Sequence, residues 1–262
     1  MNLVSTITKQ CIYFSLVDSL YAAEYEKTII MLDRVNDKYL SLIDQAVLCL
    51  KIILNNSFKR DEFGNYHMQS GDNDSEELNY WIAYFQENQF ITVSTAPNKN
   101  HIAASPLQKG GLCNYQWDLK SSWNPFAVAS AVQIFWALQT LIKVHWVIKR
   151  SGINGLFDVI NKNSPPHTTL IFPEVDALAQ LAATVDAATL LYPKKTFCLA
   201  WSATLVLLAL KKRWDVSLVI GVQANPFYAH AWAQTSDGTV IHDDAQVAQV
   251  LSKIVTTPFL RE

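Results

Sequence analysis

The chain has 262 residues, which is enough to bury a sizeable core and to form one large domain or two small ones. Its net charge of −2 at pH 7 gives no electrostatic basis for binding nucleic acid. The four cysteines contain no C-x-x-C pair, so neither a disulfide framework nor a zinc site is indicated. They are Cys11, Cys49, Cys113 and Cys198. Residues 1–10 lack the apolar segment of a signal peptide, and we expect a reducing, cytoplasmic compartment.

Residues 1–94 are predicted to form a small α+β domain in which strands come first and helices follow. Short apolar runs predict four strands, at 11–17, 19–25, 28–32 and 38–42. Two amphipathic helices then begin near Asp44, which we predict to be a cap, and at Ser75. The polar stretch 58–75 between the helices is predicted to be a loop or wing.

Residues 95–124 are rich in Ser, Thr, Pro, Asn and Gly and are predicted to be a linker. Residues 125–262 are predicted to form the second domain, which begins with an apolar helix that ends at Gly152 and Gly155. The apolar run of this helix is borderline in length for a membrane span. A buried core helix is favoured, and peripheral association with a membrane-bound partner stays open. A further helix at 174–191 is predicted to cover the core.

The stretch 198–243 contains the residues with the most informative chemistry. Thr196 is predicted to cap a helix, which would place Cys198 at its second position. The N-terminus of a helix carries partial positive charge, which stabilises a thiolate. Two strands are predicted next, at 216–222 and 227–233, and His230 lies on the second of them.

The hairpin after His230 decides which acid can meet this histidine. Asp237-Gly238 is a strong signal for a two-residue turn. With that turn, Asp243 lies on the same face as His230, diagonal to it and within reach. A three-residue loop would instead favour His242 or Asp244. Asp243 is therefore the predicted partner, conditional on the turn.

A thiol at a helix start, a histidine on a strand and an acid on the neighbouring strand are typical of papain-like and transglutaminase-like enzymes. We predict Cys198 as the nucleophile, His230 as the base and Asp243 as the acid that orients the imidazole. A lone buried cysteine is usually only a small apolar residue, so the prediction depends on the combination. No metal site is predicted.

Four spaced motifs in this region resemble the B proteins of lasso peptide biosynthesis. They are Cys198-Leu199-x-x-Ser202, Val219-Ile220-Gly221-Val222, Pro226-Phe227-x-x-His230-x-Trp232 and Val240-Ile241-x-Asp243. In that family, this region is a transglutaminase-like cysteine peptidase that removes the leader from a ribosomally made precursor. The resemblance implies the same three roles for the nucleophile, the base and the acid.

The strands and helices of residues 1–94 are similar to the PqqD-like element, a winged-helix-like domain that some members of the family carry fused to the peptidase. This resemblance implies that the leader adds as an extra strand beside residues 38–42 and is held against a helix at 77–87. The implied leader-binding residues are Tyr39, Leu40, Ser41 and Trp81.

The expected fold class is therefore α+β, with an N-terminal winged-helix-like PqqD-type domain and a C-terminal papain- or transglutaminase-like domain. The resemblance implies two partners, the leader of a lasso precursor peptide and an asparagine-synthetase-like macrolactam cyclase that consumes ATP. The chain has no Gly-x-x-x-x-Gly-Lys motif, so ATP is not expected to bind through a P-loop, and no directly bound cofactor is expected. Two alternatives stay open, namely a thiol acyltransferase on the same core and a non-catalytic escort of the precursor.

Overall fold

A computed structural model describes residues 11–69, 75–97, 102–108, 110–112, 129–166 and 169–258. The elements of its N-terminal part are, in chain order, β1 (Tyr13–Leu16), β2 (Leu20–Tyr25), β3 (Thr28–Asp33), β4 (Lys38–Leu42), α1 (Asp44–Asn55), β5 (Phe58–Arg60), β6 (Tyr66–Met68), α2 (Ser75–Glu87) and β7 (Ile91–Ser94). The four predicted strands and the two predicted helices are present. The predicted wing contains the hairpin of β5 and β6, and Asp44 is the first residue of α1 rather than its cap.

Strands β2, β3 and β4 form an antiparallel sheet with β3 in the centre. Successive residues of a strand point to opposite faces, and β3 is buried at every position except Asp33. Ile29 and Met31 belong to an apolar cluster with α1 and α2. Ile30 and Leu32 belong to a second cluster, which they share with the C-terminal half of the chain. The sheet therefore joins the two predicted domains through a common core.

The described part of the predicted linker lies against both halves. The N–H of Ala103 donates to the carbonyl of Ala22, and the carbonyl of Ala103 accepts from the N–H of Glu24, both at 2.8 Å. Farther along, the N–H of Leu112 donates to Gln223 Oε1 at 2.7 Å. Ala103 thus occupies the outer edge of β2, whereas the outer edge of β4 pairs with no strand among the described residues.

The C-terminal half places one buried helix across an antiparallel sheet. Its elements are α3 (Ala131–Asn163), α4 (Val175–Leu191), α5 (Cys198–Lys211), β8 (Val216–Gln223), β9 (Tyr228–Thr235), β10 (Val240–Ile241), α6 (Val247–Val250) and β11 (Ser252–Thr257). The strand order is β10-β9-β8-β11. Helix α5 packs on β8 and β9 and is covered by α3 and α4, which explains why it is apolar on nearly every side.

Helix α3 is longer than predicted. It begins after Ser130, which forms a capping box with Gln133. At Gly152, φ is 59°, and the helix bends there and continues to Asn163 instead of ending. The carboxylate of Asp37 lies at the bend, where its Oδ1 accepts from the N–H of Ile153 at 2.8 Å. By length and composition α3 could cross a membrane, but one third of its most apolar window is already buried in the protein.

Candidate active site

Cys198 is the first residue of α5 and directly follows the N-cap Phe197. The prediction that Thr196 caps this helix is wrong, because its side chain is buried and makes no capping bond. The thiol nevertheless lies at the helix N-terminus, where the first N–H groups have no intrahelical partner and the dipole favours a negative charge. Cys198 is partly exposed, as a nucleophile that meets a substrate must be.

His230 lies in the middle of β9, and only 1% of its surface is exposed. Its imidazole is stacked between Tyr228 and Trp232, whose ring centroids are 6.1 and 6.2 Å away. The three side chains share one face because they are two residues apart along the strand. Trp232 is itself anchored, since its indole Nε1–H donates to Gln234 Oε1 at 3.0 Å. These contacts restrict rotation of the histidine ring.

The carboxylate of Asp243 contacts this imidazole. Asp243 Oδ2 lies 2.7 Å from His230 Nε2, and both side chains are almost completely buried. Burial would lower the pKa of His230, but hydrogen bonds and charges from Asp243 and Cys198 raise it to about 9. The protonated imidazole is therefore favoured at neutral pH, as a thiolate–imidazolium pair requires.

The thiol of Cys198 interacts with the same imidazole. Because Asp243 engages Nε2, the ring nitrogen left for the thiol is Nδ1. Burial raises the pKa of Cys198, but the hydrogen bond and charge of His230 and backbone hydrogen bonds from Ala231 and Leu199 hold this pKa below its ordinary value. The structure thus brings the three predicted catalytic residues together, with the imidazole of His230 between the carboxylate of Asp243 and the thiol of Cys198.

The hairpin between β9 and β10 differs from the predicted one. Ile241 pairs with Ala233, a register that leaves three residues, 236–238, in the loop. The carboxylate of Asp237 stabilises this loop, since its Oδ1 accepts from the N–H of Thr239 at 3.0 Å. The prediction of a two-residue turn is wrong.

With a three-residue loop, simple alternation along the strand would point Asp243 away from His230. The backbone departs from this alternation at His242, whose φ of 56° lies in the left-handed region. Strand β10 ends at Ile241, and the Asp243 side chain turns towards His230. The predicted pair of residues is in contact, although the geometric reason given for it from the sequence does not apply.

A groove runs between β4 and the loop that joins β8 to β9. This edge groove has a volume of about 220 Å³. It is lined by Thr28, Ile30, Tyr39, Leu40, Ser41, Ile43, Ala224, Asn225 and Phe227. The rings of Tyr39 and Phe227 are 5.3 Å apart. Burial, with a smaller contribution from the nearby charge of Cys198, raises the pKa of Tyr39 to about 12, so its hydroxyl stays protonated. Three of the predicted leader-binding residues therefore border the groove, and Tyr39 lies near the thiol.

Trp81, the fourth predicted leader-binding residue, lies elsewhere. It is on α2, and its ring centroid is 5.6 Å from that of Tyr84 and 5.5 Å from that of Phe85. Helix α2 packs against α1, β6 and β7. It therefore covers the apolar cluster on the side of the sheet opposite to Tyr39, and Trp81 does not line the edge groove.

Sequence reasoning missed Phe227 as a wall of the edge groove. A signal for it existed, because a large aromatic residue that follows Pro226 in a loop and immediately precedes β9 has no obvious place in the core. In the structure Phe227 is 53% exposed and packs on Tyr39. Exposed aromatic residues beside a site are typical of peptide-binding walls.

Possible metal ligands are dispersed in the part of the chain that the structure describes. Among those residues, no three His, Cys, Asp or Glu side chains are grouped so that they could hold a metal ion. Three cysteines in the same ranges, Cys11, Cys49 and Cys198, are free thiols. The reactive side chains that the site brings together are the thiol, the imidazole and the carboxylate.

Comparison with known proteins agrees with this geometry. Residues 140–256 match the family model of the transglutaminase-like superfamily. This part of the chain is a transglutaminase-like domain. The chain is also similar to the microcin J25-processing protein McjB of Escherichia coli, with 24% identity over 230 residues, which cover 88% of this chain and 95% of that protein. The resemblance to the lasso peptide B proteins is thereby confirmed. No solved structure is significantly similar to the chain.

Proposed function

We propose that this protein is the leader peptidase of a lasso peptide maturation system. It would bind the leader of a precursor peptide and hydrolyse the bond between leader and core. The observation that carries the proposal is the grouping of Cys198, at the start of a helix, with the hydrogen-bonded pair of His230 and Asp243 in a transglutaminase-like domain. The similarity to a microcin-processing protein supports the substrate class.

The proposed reaction follows from the three side chains. The imidazole of His230 accepts the thiol proton, and the thiolate of Cys198 attacks the carbonyl carbon of the scissile peptide bond. The backbone N–H of Cys198, at the helix start, is directed towards the developing oxyanion. The imidazolium then protonates the leaving amine of the core, and a thioester to the leader remains. Water deprotonated by the same imidazole hydrolyses the thioester, which releases the leader carboxylate and regenerates the thiol.

Asp243 stabilises the imidazolium through these steps and holds the ring orientation in which Nδ1 faces the thiol. The lowered pKa of Cys198 and the raised pKa of His230 have the signs that a resting thiolate–imidazolium pair requires. His230 contributes to the lowered pKa of Cys198, and Asp243 and Cys198 contribute to the raised pKa of His230, so the pair is prepared before substrate binds.

We further propose that the N-terminal sheet is the leader-recognition element, a PqqD-like winged-helix-type module. The edge of β2 is occupied by Ala103, whereas the edge of β4 pairs with no strand among the described residues, so an extended leader can add beside β4. Tyr39, Leu40 and Ser41 supply side chains along that edge. Since Tyr39 also lies near Cys198, a leader bound there would deliver its C-terminal end towards the thiol.

The proposed partners are the precursor peptide and an asparagine-synthetase-like cyclase that would consume ATP in the same cytoplasmic compartment. No cofactor is required on this chain, because hydrolysis through a thioester needs only the three side chains and water. A second candidate is a thiol acyltransferase, which the transglutaminase-like match itself favours. In that case an amine replaces water, and the mass of the product distinguishes the two reactions.

The test compares wild type with Cys198→Ala and with Cys11→Ala, a matched control that removes a thiol outside the site. Each protein is incubated with a leader-bearing precursor, the partner cyclase and ATP, and leader release is followed by mass spectrometry. Leader binding is measured in parallel by fluorescence anisotropy. We expect Cys198→Ala to bind the leader and release none, while Cys11→Ala behaves as wild type. Continued release by Cys198→Ala would disprove the proposed nucleophile.

A further inference from the structure

A second contact between a histidine and an aspartate involves His242, the residue immediately before Asp243. His242 Nε2 is 2.8 Å from Asp186 Oδ2, and the Asp186 side chain is only 3% exposed. The other carboxylate oxygen, Oδ1, accepts from the indole Nε1–H of Trp201 at 2.8 Å. The Trp201 ring is stacked on the His242 ring, with centroids 5.5 Å apart and planes inclined by 18°. His242 is therefore held between α4, which supplies Asp186, and α5, which supplies Trp201.

This contact coincides with the backbone irregularity that brings Asp243 to His230. If β10 continued regularly from Ile241, His242 would lie on the face of His230, and Asp243 would lie on the face towards α5. The left-handed φ of 56° at His242 reverses these directions. For a residue with a Cβ, this conformation is unfavourable, so contacts elsewhere must offset it.

The orientation of the Asp243 carboxylate depends on the same turn. Its Oδ1 accepts from the N–H of Asp244 at 2.8 Å, while its Oδ2 is 2.7 Å from His230 Nε2. One oxygen is thus fixed by the backbone that immediately follows His242, and the other meets the imidazole. A change of backbone angle at His242 would move both oxygens together.

We propose that Asp186 is a positioning residue, which acts through His242 and Trp201 to hold the left-handed turn that aims Asp243 at His230. The consequence of this inference for peptide cleavage rests on the proposed function. Its structural part concerns only the arrangement of Cys198, His230 and Asp243. Asp186 itself has no role in proton transfer to the substrate. Sequence reasoning gave no signal for it, because it is one polar residue among the apolar positions of α4, far from His242 along the chain.

The experiment measures the rate at which iodoacetamide alkylates Cys198 as a function of pH, without any peptide. The Asp186→Asn variant keeps an acceptor for the Trp201 N–H but removes the negative charge that faces His242. We expect the acid limb of its rate profile to move to higher pH by about one unit. At pH values below this limb, the alkylation rate of the variant should then be about tenfold lower than that of wild type. Asp243→Asn should produce a shift at least as large, and the double variant should show no further shift.

Two further variants separate positioning from general stability. Asp244→Asn is the matched control, because this exposed side chain accepts from the N–H of Gln246 at 2.9 Å and does not contact His230. His242→Asn tolerates the left-handed conformation but cannot span the distance to Asp186, so it should reproduce the shift of Asp186→Asn even if the latter folds poorly. Thermal unfolding of every variant shows which of them are folded at the assay temperature.

The proposal is overturned if folded Asp186→Asn and His242→Asn both keep the wild-type alkylation profile, or if the shifts of Asp186→Asn and Asp243→Asn add in the double variant. Failure of the proposed function is a separate outcome. Cys198 of the wild type would then be alkylated with the expected pH profile, but the precursor would not be cleaved. The alkylation profiles of the variants would still decide the positioning role.

Discussion

Replacing Gly221 by alanine is expected to destabilise the protein and to disturb its site, because this glycine lies against the ring stack that contains His230. Gly221 is paired with His230 across β8 and β9. A Cβ at position 221 would lie 2.6 and 2.7 Å from two atoms of the Trp232 indole and 2.8 Å from Leu251 Cβ. Favourable contacts between carbon atoms are about 3.5–4.0 Å, so all three are short by roughly 1 Å.

The neighbours of this Cβ cannot move away at low cost. Trp232 is 0% exposed and its N–H is bonded to Gln234, and Leu251 is 1% exposed. Overpacking of this kind typically costs about 1–3 kcal/mol, and we expect Gly221→Ala to lie near 3 kcal/mol. At roughly 2–4 °C per kcal/mol for a chain of this size, the unfolding midpoint should fall by about 6–12 °C.

Thermal unfolding by circular dichroism tests this expectation, with Gly238→Ala as the control. Gly238 has a φ of 89°, but an added Cβ would meet no atom within 4 Å. Its substitution therefore introduces backbone strain of about 1 kcal/mol without a clash. An unfolding midpoint for Gly221→Ala that equals that of wild type, or that is higher than that of Gly238→Ala, would refute the packing argument.

Three other expectations follow from the site. Replacing Asp243 by asparagine should move the acid limb of Cys198 alkylation up by about one pH unit or more, and an unchanged profile would contradict the assigned contact. Because the pKa of His230 in the folded state is about 9, above its ordinary 6.5, the stability that this group contributes is complete below pH 6.5 and is lost as the pH rises through 9. The difference in unfolding free energy between wild type and His230→Gln, measured with urea, should accordingly shrink over that range; a constant difference would argue against a protonated imidazole. Tyr39→Ala should raise the KM for a leader-bearing precursor about tenfold, whereas Tyr39→Phe, which keeps the ring, should change the KM little. If both variants changed the KM equally, the aromatic ring would not be the group that binds the leader.

Local sequence signals were sufficient for most of the secondary structure around the site. The start of α5 near Cys198 and the strand that carries His230 follow from apolar runs that are bounded by turn residues, and such signals act over a few positions. The three proposed catalytic residues were named from the same kind of local signal, although the two-residue turn used to choose Asp243 is wrong. The match to the transglutaminase-like superfamily agrees with the predicted class of the domain.

One error arose where a distant residue intervened. Gly152 was predicted to help end the long helix, yet Asp37 binds the N–H of Ile153, and the helix continues beyond the bend. That contact leaves no periodic signal in the sequence. Trp81 and Tyr39 lie on opposite sides of the N-terminal sheet, and leader binding by either residue stays a prediction.

The sequence by itself determined which side chains could form the site, because a thiol at a helix start and a histidine on a buried strand follow from local pattern. Only the tertiary structure decided that Asp243 meets His230, since the three-residue loop alone would have turned it away. The left-handed backbone at His242 is unfavourable by itself and is found here together with contacts from Asp186 on α4 and Trp201 on α5. The directions of side chains along a regular strand follow from local alternation. A left-handed residue reverses these directions, and contacts from elements far away in the chain offset the cost of that conformation.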